Sequence, residues 1–367
     1  MKKRLIAIHL PQFHPFKENN EWWGNGFTEW TNVAKARPRY RGHYQPHIPA
    51  DLGYYDLRLE ETRIAQAEMA RHYGIYGFCY YHYWFNGKQL MERPVNEIIK
   101  SGKPDFPFML CWANENWSRN WDGGFSKMLI EQHYSINDYE NHMRYLCLNV
   151  FCDKRYIRVE GKPFFVVYKP QLFPNVSEAI DVWRKTAKEY GIDLYLGYMT
   201  RIDQNYINDG FDCAIDFHPH DYGFLQPSYA KQLKDFCNSN ILHRAFLKFS
   251  KSTWNPFNVS YYYKDYVDFF CAKEFPSLKM YQGITPSWDN SPRRKGWFME
   301  LKDSRPEYYG KWLAHLLNKF EPYSNEENFI FVNAWNEWAE GNHLEPDQRW
   351  GRAYLEETLK QIKAYNK

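Results

Sequence analysis

The sequence predicts an α/β fold, a single closed (β/α)8 TIM barrel, from three observations. Short apolar runs recur along the 367 residues, amphipathic stretches long enough for helices separate most of them, and polar and aromatic residues follow the runs directly. Strands that alternate with helices form parallel sheets, and eight strand–helix units fit a closed barrel. A doubly wound open sheet is the alternative architecture.

Eight apolar runs are the predicted strands. They begin at Leu5, Ile75, Phe108, Phe164, Leu194, Cys213, Met280 and Phe329. The clearest helical stretches are Leu59 to His72, Val95 to Lys100, Asn137 to Leu148, Val176 to Tyr190, Pro306 to Leu317 and Ala353 to Tyr365. Residues 224–262, rich in aromatic and basic side chains, are predicted to be an insertion between strands six and seven. Because no stretch rich in Pro, Gly or Ser divides the chain, residues 1–367 are predicted to form one catalytic domain with long βα loops.

The composition narrows the class of partner. Aromatic residues make up 19% of the chain although its mean hydropathy is −0.73. Tyr, Trp and Phe therefore carry most of the apolar mass, which suits an aromatic-lined groove. The formal net charge is +3, and no long basic run is suited to following a phosphate backbone, so nucleic acid is excluded as a partner.

The N-terminus and the cysteines predict a cytoplasmic protein. The apolar stretch Leu5 to Ile8 is shorter than the roughly 7–15 residues of a secretory signal, so it is predicted to be the first strand. No run reaches membrane-spanning length. The seven cysteines form no CxxC pair, and Cys79, Cys111 and Cys213 lie in apolar runs, which favours reduced core thiols.

The segment NAWNEWAEGNHLEP, which follows the last predicted strand, is the strongest functional signal. Glu337 and Glu340 stand three residues apart beside Asn336 and Trp338. Glycosidic-bond chemistry uses one carboxyl as acid and another as base or nucleophile, and barrel enzymes place such groups at strand ends. Both glutamates are therefore predicted to be catalytic; the alternative is a solvated first turn of a helix. Glu345, farther along the loop, is expected to be a solvent-facing or capping acid.

The run WANENW, directly after the third predicted strand, is a candidate sugar-binding loop. Trp112, Asn114, Glu115 and Asn116 combine amide and carboxylate groups, which can bind hydroxyls, with indole, which can cover a pyranose face. A packed structural loop is the equal alternative. Tyr83, in the cluster after the second strand, is assigned to the same predicted rim.

Two further runs follow strands six and seven. His218 and His220 in FHPHDYG would need a third ligand to hold a metal, so we expect no metal and assign both to sugar or core hydrogen bonds. Trp288, Asp289 and Arg293 in SWDNSPRR are the next candidates. Arg293 could hold a carboxylate or phosphate, but pairing with Asp289 to fix the loop is the favoured interpretation.

The N-terminal run NNEWWGNGFTEW supplies the last candidates. Trp22, Trp23 and Trp30, with Glu29 nearby, predict either a sugar-facing lid or a structural cover over the barrel mouth. Two glycines without a third do not make a dinucleotide fingerprint, and DxD, P-loop and GxSxG patterns are missing from the sequence. No cofactor is therefore expected.

Several long motifs resemble one family. HLPQFHPFKENNEWWGNGFTEWTNV, GHYQPHIPADLGYYDL, GFCYYHYWFNGKQLMERP, WANENW and NEWAEG are similar to the WbsX-type proteins of bacterial surface-polysaccharide gene clusters, which are named glycosyltransferases. These in turn resemble the endo-α-mannosidases of glycoside hydrolase family 99, (β/α)8 barrels with a comparable EWxEG segment. The resemblance implies neighbouring-group catalysis. Glu337 would assist the sugar's 2-hydroxyl in attacking the anomeric carbon, and Glu340 would protonate the leaving oxygen and later activate water.

The sequence thus predicts a carbohydrate-active enzyme, a retaining endo-α-mannosidase-type hydrolase acting on an oligosaccharide or polysaccharide. The first alternative is a glycosyltransferase of lipopolysaccharide, O-antigen or capsule synthesis, associated with a membrane-bound assembly system. The second is a non-catalytic glycan-binding barrel.

Overall fold

The eight predicted strands all form, and they close into a parallel barrel. The computed structural model describes residues 2–118, 128–201, 204–220, 258–294 and 298–366. The barrel strands are β1 (Arg4–His9), β2 (Ile75–Phe85), β3 (Phe108–Trp112), β4 (Lys162–Val167), β5 (Tyr195–Thr200), β6 (Cys213–Asp216), β7 (Met280–Ile284) and β8 (Phe329–Val332). Each strand pairs in parallel with the next, and β8 pairs with β1 to close the ring. The open-sheet alternative is therefore wrong.

Helices surround the barrel in the expected alternation, with one difference. They are α1 (Lys17–Trp23), α2 (Glu29–Lys35), α3 (Glu60–His72), α4 (Arg93–Ser101), α5 (Ile136–Asn149), α6 (Val176–Glu189), α7 (Tyr263–Ala272), α8 (Pro306–Lys319) and α9 (Ala353–Tyr365). Between β5 and β6, the described residues form only a 3₁₀ turn, Ile207–Asp209. No helical stretch is predicted at this crossover, and the described residues agree with that.

Local sequence explains where several helices begin and end. Ser135 caps α5, because its hydroxyl accepts a hydrogen bond from the backbone N–H of Asp138 at 3.2 Å. Asn175 caps α6 in the same way through Glu178. Gly102 ends α4 in the left-handed conformation, with φ +72°, which favours glycine.

Aromatic rings fill the barrel interior, which accounts for the unusual composition. The ring of Phe164 on β4 lies 5.9 Å from that of Tyr281 on β7, and 5.7 and 6.2 Å from those of Phe329 and Phe331 on β8. Gly197 on β5 makes room for this packing, since an added Cβ would lie 2.7 Å from the Phe164 ring. The barrel is therefore a packed core whose open space lies at its ends.

Short strands decorate the barrel outside the ring. They are Lys88–Leu90, Trp117–Ser118 with Met128–Ile130, Arg158–Val159, Val259–Tyr262 with Met299–Lys302, and Asn336–Glu337 with Asn342–His343. Most of the predicted insertion, residues 224–257, lies outside the described residues, and its end is the strand Val259–Tyr262. Cys79, Cys111 and Cys213 are buried free thiols, as predicted. Among the described ranges, no helix is both long and apolar enough to cross a bilayer.

Candidate active site

The loop after β8 carries the two predicted catalytic glutamates. Its backbone forms the short strand Asn336–Glu337 and then a 3₁₀ turn, Trp338–Glu340, that ends at Gly341. Gly341 has φ +56°, and an added Cβ would lie 3.1 Å from the Cβ of Asp289. The backbone N–H of Asp289 donates to the carbonyl of Glu340 at 2.6 Å. The loops after β7 and β8 are thus joined at the glutamate pair.

Four charged side chains meet at this point, and we call them the Arg293 cluster: Arg293, Glu29, Glu337 and Glu340. The Nη2 of Arg293 lies 2.7 Å from Oε2 of Glu337, and its Nη1 lies 2.7 Å from Oε1 of Glu340. Its Nε donates to Oε1 of Glu29 at 2.9 Å, and its Nη2 also contacts that oxygen. Side-chain exposure is 8% for Arg293, 0% for Glu29, 6% for Glu337 and 21% for Glu340. Glu340 is therefore the most accessible carboxyl of the cluster.

Electrostatics distinguish the members of the Arg293 cluster. Burial raises the pKa of Glu337 to about 8; the Arg293 charge opposes the rise, while Glu340 and Glu29 add to it. Burial also raises the pKa of Glu29 against the attraction of Arg293. Although burial alone would lower the pKa of Arg293, the three glutamates raise it well above its ordinary value. One permanent cation thus faces three carboxyls, and Glu337 keeps its proton up to about pH 8.

Asn336 joins the glutamate loop to the segment after β1. Its side-chain oxygen accepts from the backbone N–H of Leu10 at 2.7 Å, and its amide donates to the Leu10 carbonyl at 3.0 Å. Trp338 is 1% exposed and packs against Trp30 at 5.3 Å between rings. Asn336, Trp338 and Trp30 are buried and hold the loop from behind, which favours a structural role for them over the predicted contact with substrate.

Glu345 corrects another expectation. Rather than facing solvent, it is 2% exposed and accepts hydrogen bonds from Trp338 Nε1 at 2.6 Å, Gln66 at 2.7 Å and the hydroxyl of Tyr55 at 2.8 Å. Burial raises its pKa to about 7 even though these donors lower it. Glu345 is thus a buried anchor under the loop.

Aromatic side chains form one wall near the Arg293 cluster. The ring of Trp117 lies 5.6 Å from that of Trp22 and 5.3 Å from that of Tyr83. Tyr83 lies close enough to the Arg293 cluster to interact with its charges. Burial, and then the charge of Glu337, raise the pKa of Tyr83 well above its ordinary value. Tyr81 lies one layer deeper in the barrel. Burial, Tyr168 and Glu337 raise the pKa of Tyr81 well above its ordinary value as well. Half-buried indole beside carboxyls is the arrangement expected of a sugar site.

The WANENW loop is held rigidly at the end of β3. The amide of Asn114 donates to the Lys169 carbonyl at 2.8 Å, and its oxygen accepts from the Lys169 N–H at 2.8 Å. Glu115 pairs with the Lys169 ammonium at 2.5 Å and stays 39% exposed, and Asn116 accepts from the N–H of Gln132. Glu115 and Asn116 thus remain available at the mouth, while Asn114 is structural.

Trp112 does not belong to the site. It has no exposed surface, donates to the carbonyl of Trp84 at 3.1 Å, and packs 5.8 Å from Trp183. Because Trp112 ends β3 with its ring turned toward the helices, the prediction that it contacts substrate is wrong. Trp23, partly exposed, stacks on Phe27 at 5.7 Å.

Asp289 and Trp288 shape the loop after β7. Asp289 accepts hydrogen bonds from His43 Nε2 at 2.7 Å and Gln45 at 2.6 Å, which ties this loop to the segment after α2. The favoured pairing of Arg293 with Asp289 is therefore wrong: the ion pairs described for Arg293 are with three glutamates. Trp288 is 6% exposed and packs within the core.

His218 and His220 lie outside the barrel rather than at its mouth. The His218 ring packs 4.7 Å from that of Trp312 on α8 and 4.5 Å from that of Phe270 on α7. Both imidazoles contact Asp216 at the end of β6. Of the two roles predicted for them, sugar or core hydrogen bonds, these contacts favour the core role.

Sequence reasoning noted Glu29 but did not select it as a site residue. It begins α2, more than 300 residues before Glu337, and its burial could not be read from a sequence in which acidic residues commonly begin helices. The sequence does contain one signal for Glu29 as a site residue. In the motif GFTEW a tryptophan follows Glu29, as a tryptophan follows the first glutamate of NEWAEG.

A closed parallel barrel with carboxyls converging at the carboxyl ends of its strands defines the class of barrel enzymes. The comparisons give the family. The chain belongs to the glycosyltransferase WbsX family, whose model matches residues 5–358. This confirms the resemblance found in the sequence.

Two relatives come from strains of Xanthomonas campestris pv. campestris, and both carry the name uncharacterized protein WxcX. They are 36% and 37% identical over 357 and 361 residues. The alignments cover 96% of this chain and 49% of each relative, so the chain spans about half the length of the curated relatives it matches.

Solved structures support the fold. The GH99 endo-alpha-mannosidase from Bacteroides thetaiotaomicron, in complex with BIS-TRIS-Propane, superposes with a TM-score of 0.59 at 13% identity, covering 99% of this chain and 97% of that one. A glycoside hydrolase-like protein gives 0.57 at 12% identity, with 98% and 94% covered. At such identities the likeness shows the (β/α)8 fold alone. Family and fold neighbours together are carbohydrate-active enzymes of glycosyltransferase or glycosidase type.

Proposed function

We propose that the chain acts on an α-linked glycosyl unit with retention, using Glu337 as general base and Glu340 as general acid. The observation that carries this proposal is the convergence of both carboxyls on the guanidinium of Arg293, each at 2.7 Å, at the barrel mouth. Arg293 fixes the two side chains relative to each other, and fixed geometry is what acid–base catalysis requires.

The two carboxyls divide the reaction between them. Glu337 acts in its ionised form, once it has lost the proton that burial makes it hold. It then withdraws the proton of the sugar's 2-hydroxyl as that oxygen attacks the anomeric carbon, and Glu340 gives a proton to the departing glycosidic oxygen. Water then opens the intermediate, with Glu340 removing a proton from the water and the 2-oxygen regaining its own from Glu337. The greater exposure of Glu340 suits a group that must meet both the leaving group and water.

Hydrolysis of a mannoside is the form of this reaction we favour. The cations Arg293 and Lys169 at the mouth are already ion-paired with glutamates, and the charge of Arg201 there is attracted by Glu340 and Glu115. A diphosphate would therefore have to compete with carboxylates for each of these three cations. Nucleotide-sugar transferases commonly need such a site. In this proposal the protein is cytoplasmic and takes an oligosaccharide or polysaccharide as substrate.

Glycosyl transfer is the second candidate, and the description of the family favours it. The same carboxyl pair would deliver the sugar to an acceptor hydroxyl in place of water, and the protein would work beside a membrane-bound polysaccharide assembly system. A third candidate, a glycan-binding barrel without turnover, leaves the acid–base arrangement unused.

Release of sugar from α-mannosyl oligosaccharides by the purified chain tests the proposal. Glu337→Gln and Glu340→Gln should each lower the rate by ~10² or more, because each removes a proton-transfer step. Glu356→Gln, on the exposed face of α9, is the matched control and should leave the rate unchanged. Activity that survives both active-site substitutions would overturn the assignment.

A thermal-shift scan separates hydrolase from transferase. A nucleotide sugar present at 100 times its dissociation constant should stabilise a transferase by ~2.7 kcal/mol, with or without Mn²⁺. No shift with any nucleotide sugar, together with turnover of mannosides, would favour the hydrolase. Oligosaccharide binding without turnover across a broad panel would favour the binding module.

A further inference from the structure

Three potential metal ligands converge at the end of β6, and we call them the Asp216 cluster: Asp216, His218 and His220. They lie at alternate positions in the sequence DFHPH, at the end of β6 and in the residues that follow it. The Nε2 of His218 lies 2.9 Å from Oδ2 of Asp216, and the Nε2 of His220 lies 2.6 Å from Oδ1. One ligand atom from each residue lies within 4.8 Å of the other two.

The surroundings of the Asp216 cluster suit a bound ion. It borders a cavity of about 40 Å³ between β6, β7 and the helices α7 and α8, and ~10–15 Å³ is enough to hold a water molecule. Lys273 and Glu274 line the same cavity with opposite charges. The site therefore has room for a water ligand and little net charge beyond its own carboxylate.

Tyr266 on α7 orients one of the imidazoles. Its hydroxyl lies 2.8 Å from Nδ1 of His218 and accepts from the backbone N–H of His220 at 2.8 Å. A hydroxyl can donate or accept a hydrogen bond. The Tyr266 hydroxyl can therefore accept a hydrogen bond from Nδ1–H of His218 when Nε2 of that ring presents its lone pair to a metal. A partner on the second ring nitrogen is the usual companion of a metal-binding histidine.

We propose that Asp216, His218 and His220 bind a Zn²⁺ ion, a site separate from the Arg293 cluster and independent of the proposed glycosidic activity. Two imidazoles and one carboxylate are a donor set that zinc accepts, with a water as fourth ligand from the cavity. On binding, a proton on Nε2 of either imidazole moves to Nδ1 or to solvent, which leaves the Nε2 lone pair free for the ion. The sequence lacked a third ligand for the two histidines, and the fold supplies Asp216.

A second group, His47, His343 and Asp347, is a weaker candidate. The Nδ1 of His47 lies 2.9 Å from Nε2 of His343, so in this group the two imidazoles contact each other, whereas in the Asp216 cluster each imidazole contacts the carboxylate. Oδ1 of Asp347 accepts the backbone N–H groups of Arg349 and Trp350 at 3.0 and 2.6 Å, so it is occupied in turning the loop. This group therefore serves as an internal control.

Titration of the purified full chain with Zn²⁺ alone, followed by calorimetry, tests the proposal. The protein should carry Cys152→Ser, to remove an exposed thiol, and His343→Gln, to disable the second group. We expect one Zn²⁺ per chain in this background. Adding Asp216→Asn or His220→Gln should abolish binding, and Tyr266→Phe should weaken it by ~10-fold or more.

The alternative results are equally definite. Zn²⁺ binding that persists with Asp216→Asn and His220→Gln, or that is missing from the His343→Gln background, would overturn the proposal. Circular dichroism checks that each variant folds. If Asp216→Asn does not fold, the visible absorption of Co²⁺ bound to the background protein decides instead. A histidine-ligated spectrum that changes with Tyr266→Phe supports the site, and no spectrum contradicts it.

Discussion

The Arg293 cluster and the Asp216 cluster are both buried clusters of charged groups near strand ends. They differ in which kind of group is in excess. The first sets three carboxyls around one guanidinium, and the second sets two imidazoles around one carboxylate. An excess of carboxyls around a cation that cannot lose its proton leaves one carboxyl protonated near neutral pH, which suits proton transfer. An excess of imidazoles around a carboxylate offers lone pairs, which suits a cation.

Their positions differ as well. The Arg293 cluster lies at the mouth of the barrel, where substrates reach barrel enzymes, while the Asp216 cluster faces the helix layer. The two clusters thus lie on different sides of the barrel wall, and the chemistry proposed for each can be tested separately. Removing the single central group of the Arg293 cluster should show how far its three carboxyls depend on it.

Arg293→Met should have the largest effect on stability. It leaves three buried carboxyls without their cation, and breaking a buried ion pair in this way costs about 3–5 kcal/mol. The cost should be smaller at pH 5 than at pH 8, because the carboxyls can then bind protons. Urea unfolding at both pH values measures it.

Arg58→Met is the matched control for that measurement. Arg58 pairs with Asp56 at 2.6 Å but is 38% exposed, so its loss should cost no more than ~1 kcal/mol. Equal losses for the two variants would show that Arg293 does not hold the carboxyls together.

Glu340→Gln should lower the rate by ~10² or more on substrates whose leaving group is a sugar hydroxyl. An aryl mannoside with an acidic phenol needs no protonation of its leaving oxygen, so the variant should recover most of the loss on that substrate. Glu337→Gln should remain slow on both, because attack by the 2-hydroxyl still lacks its base. Initial rates on the two substrates give the comparison, and equal recovery by both variants would contradict the assigned roles.

The sequence predicted the barrel well because its information is local. Apolar runs such as FIFV and FMLCW became β8 and β3 at nearly the expected bounds, since a strand buried on both faces needs little beyond its own residues. The fifth crossover has no amphipathic helical stretch in the sequence, and its described residues form only a 3₁₀ turn.

The site was predicted less completely because its contacts span the whole chain. Glu29 and Glu337 meet through Arg293, a contact that depends on the paths of three loops. Trp112 and Glu345 had the residue types of a site but are enclosed by packing that sequence spacing does not show. The order of residues in the sequence predicts that aromatic and acidic residues lie near strand ends. Which of these residues face the mouth depends on contacts that form only in the folded chain.

Glu337→Gln should change how stability depends on pH. The pKa of Glu337 is raised to about 8 in the folded chain, against about 4.3 when unfolded. The stability that the protonated carboxyl contributes is present below the unfolded value and is lost as pH rises toward the folded value. Between pH 5 and 8 the variant should therefore gain stability relative to the natural protein as the pH rises.

Urea unfolding at pH 5, 6.5 and 8 measures that gain. Glu97→Gln is the control: hydrogen bonding to Arg93 and attraction to Arg63 and Arg93 outweigh burial and lower the pKa of Glu97, so it titrates below this range. If the difference in free energy of unfolding between the natural protein and Glu337→Gln does not change with pH, Glu337 is ionised over the whole range from pH 5 to 8. The Arg293 cluster would then hold no proton on Glu337.

Glu29→Gln should produce the smallest change, and it tests the cluster without touching either proposed catalytic carboxyl. The charge of Glu29 helps to raise the pKa of Glu337 and competes for Arg293. Gln keeps an oxygen for the guanidinium but carries no charge, so the pKa of Glu337 should fall. Since a general base works once it has lost its proton, the acidic limb of kcat/KM should move to lower pH, by less than about one unit. A limb that stays in place with Glu29→Gln, in a protein that unfolds as the natural one does, would mean that Glu337 is not the group that titrates.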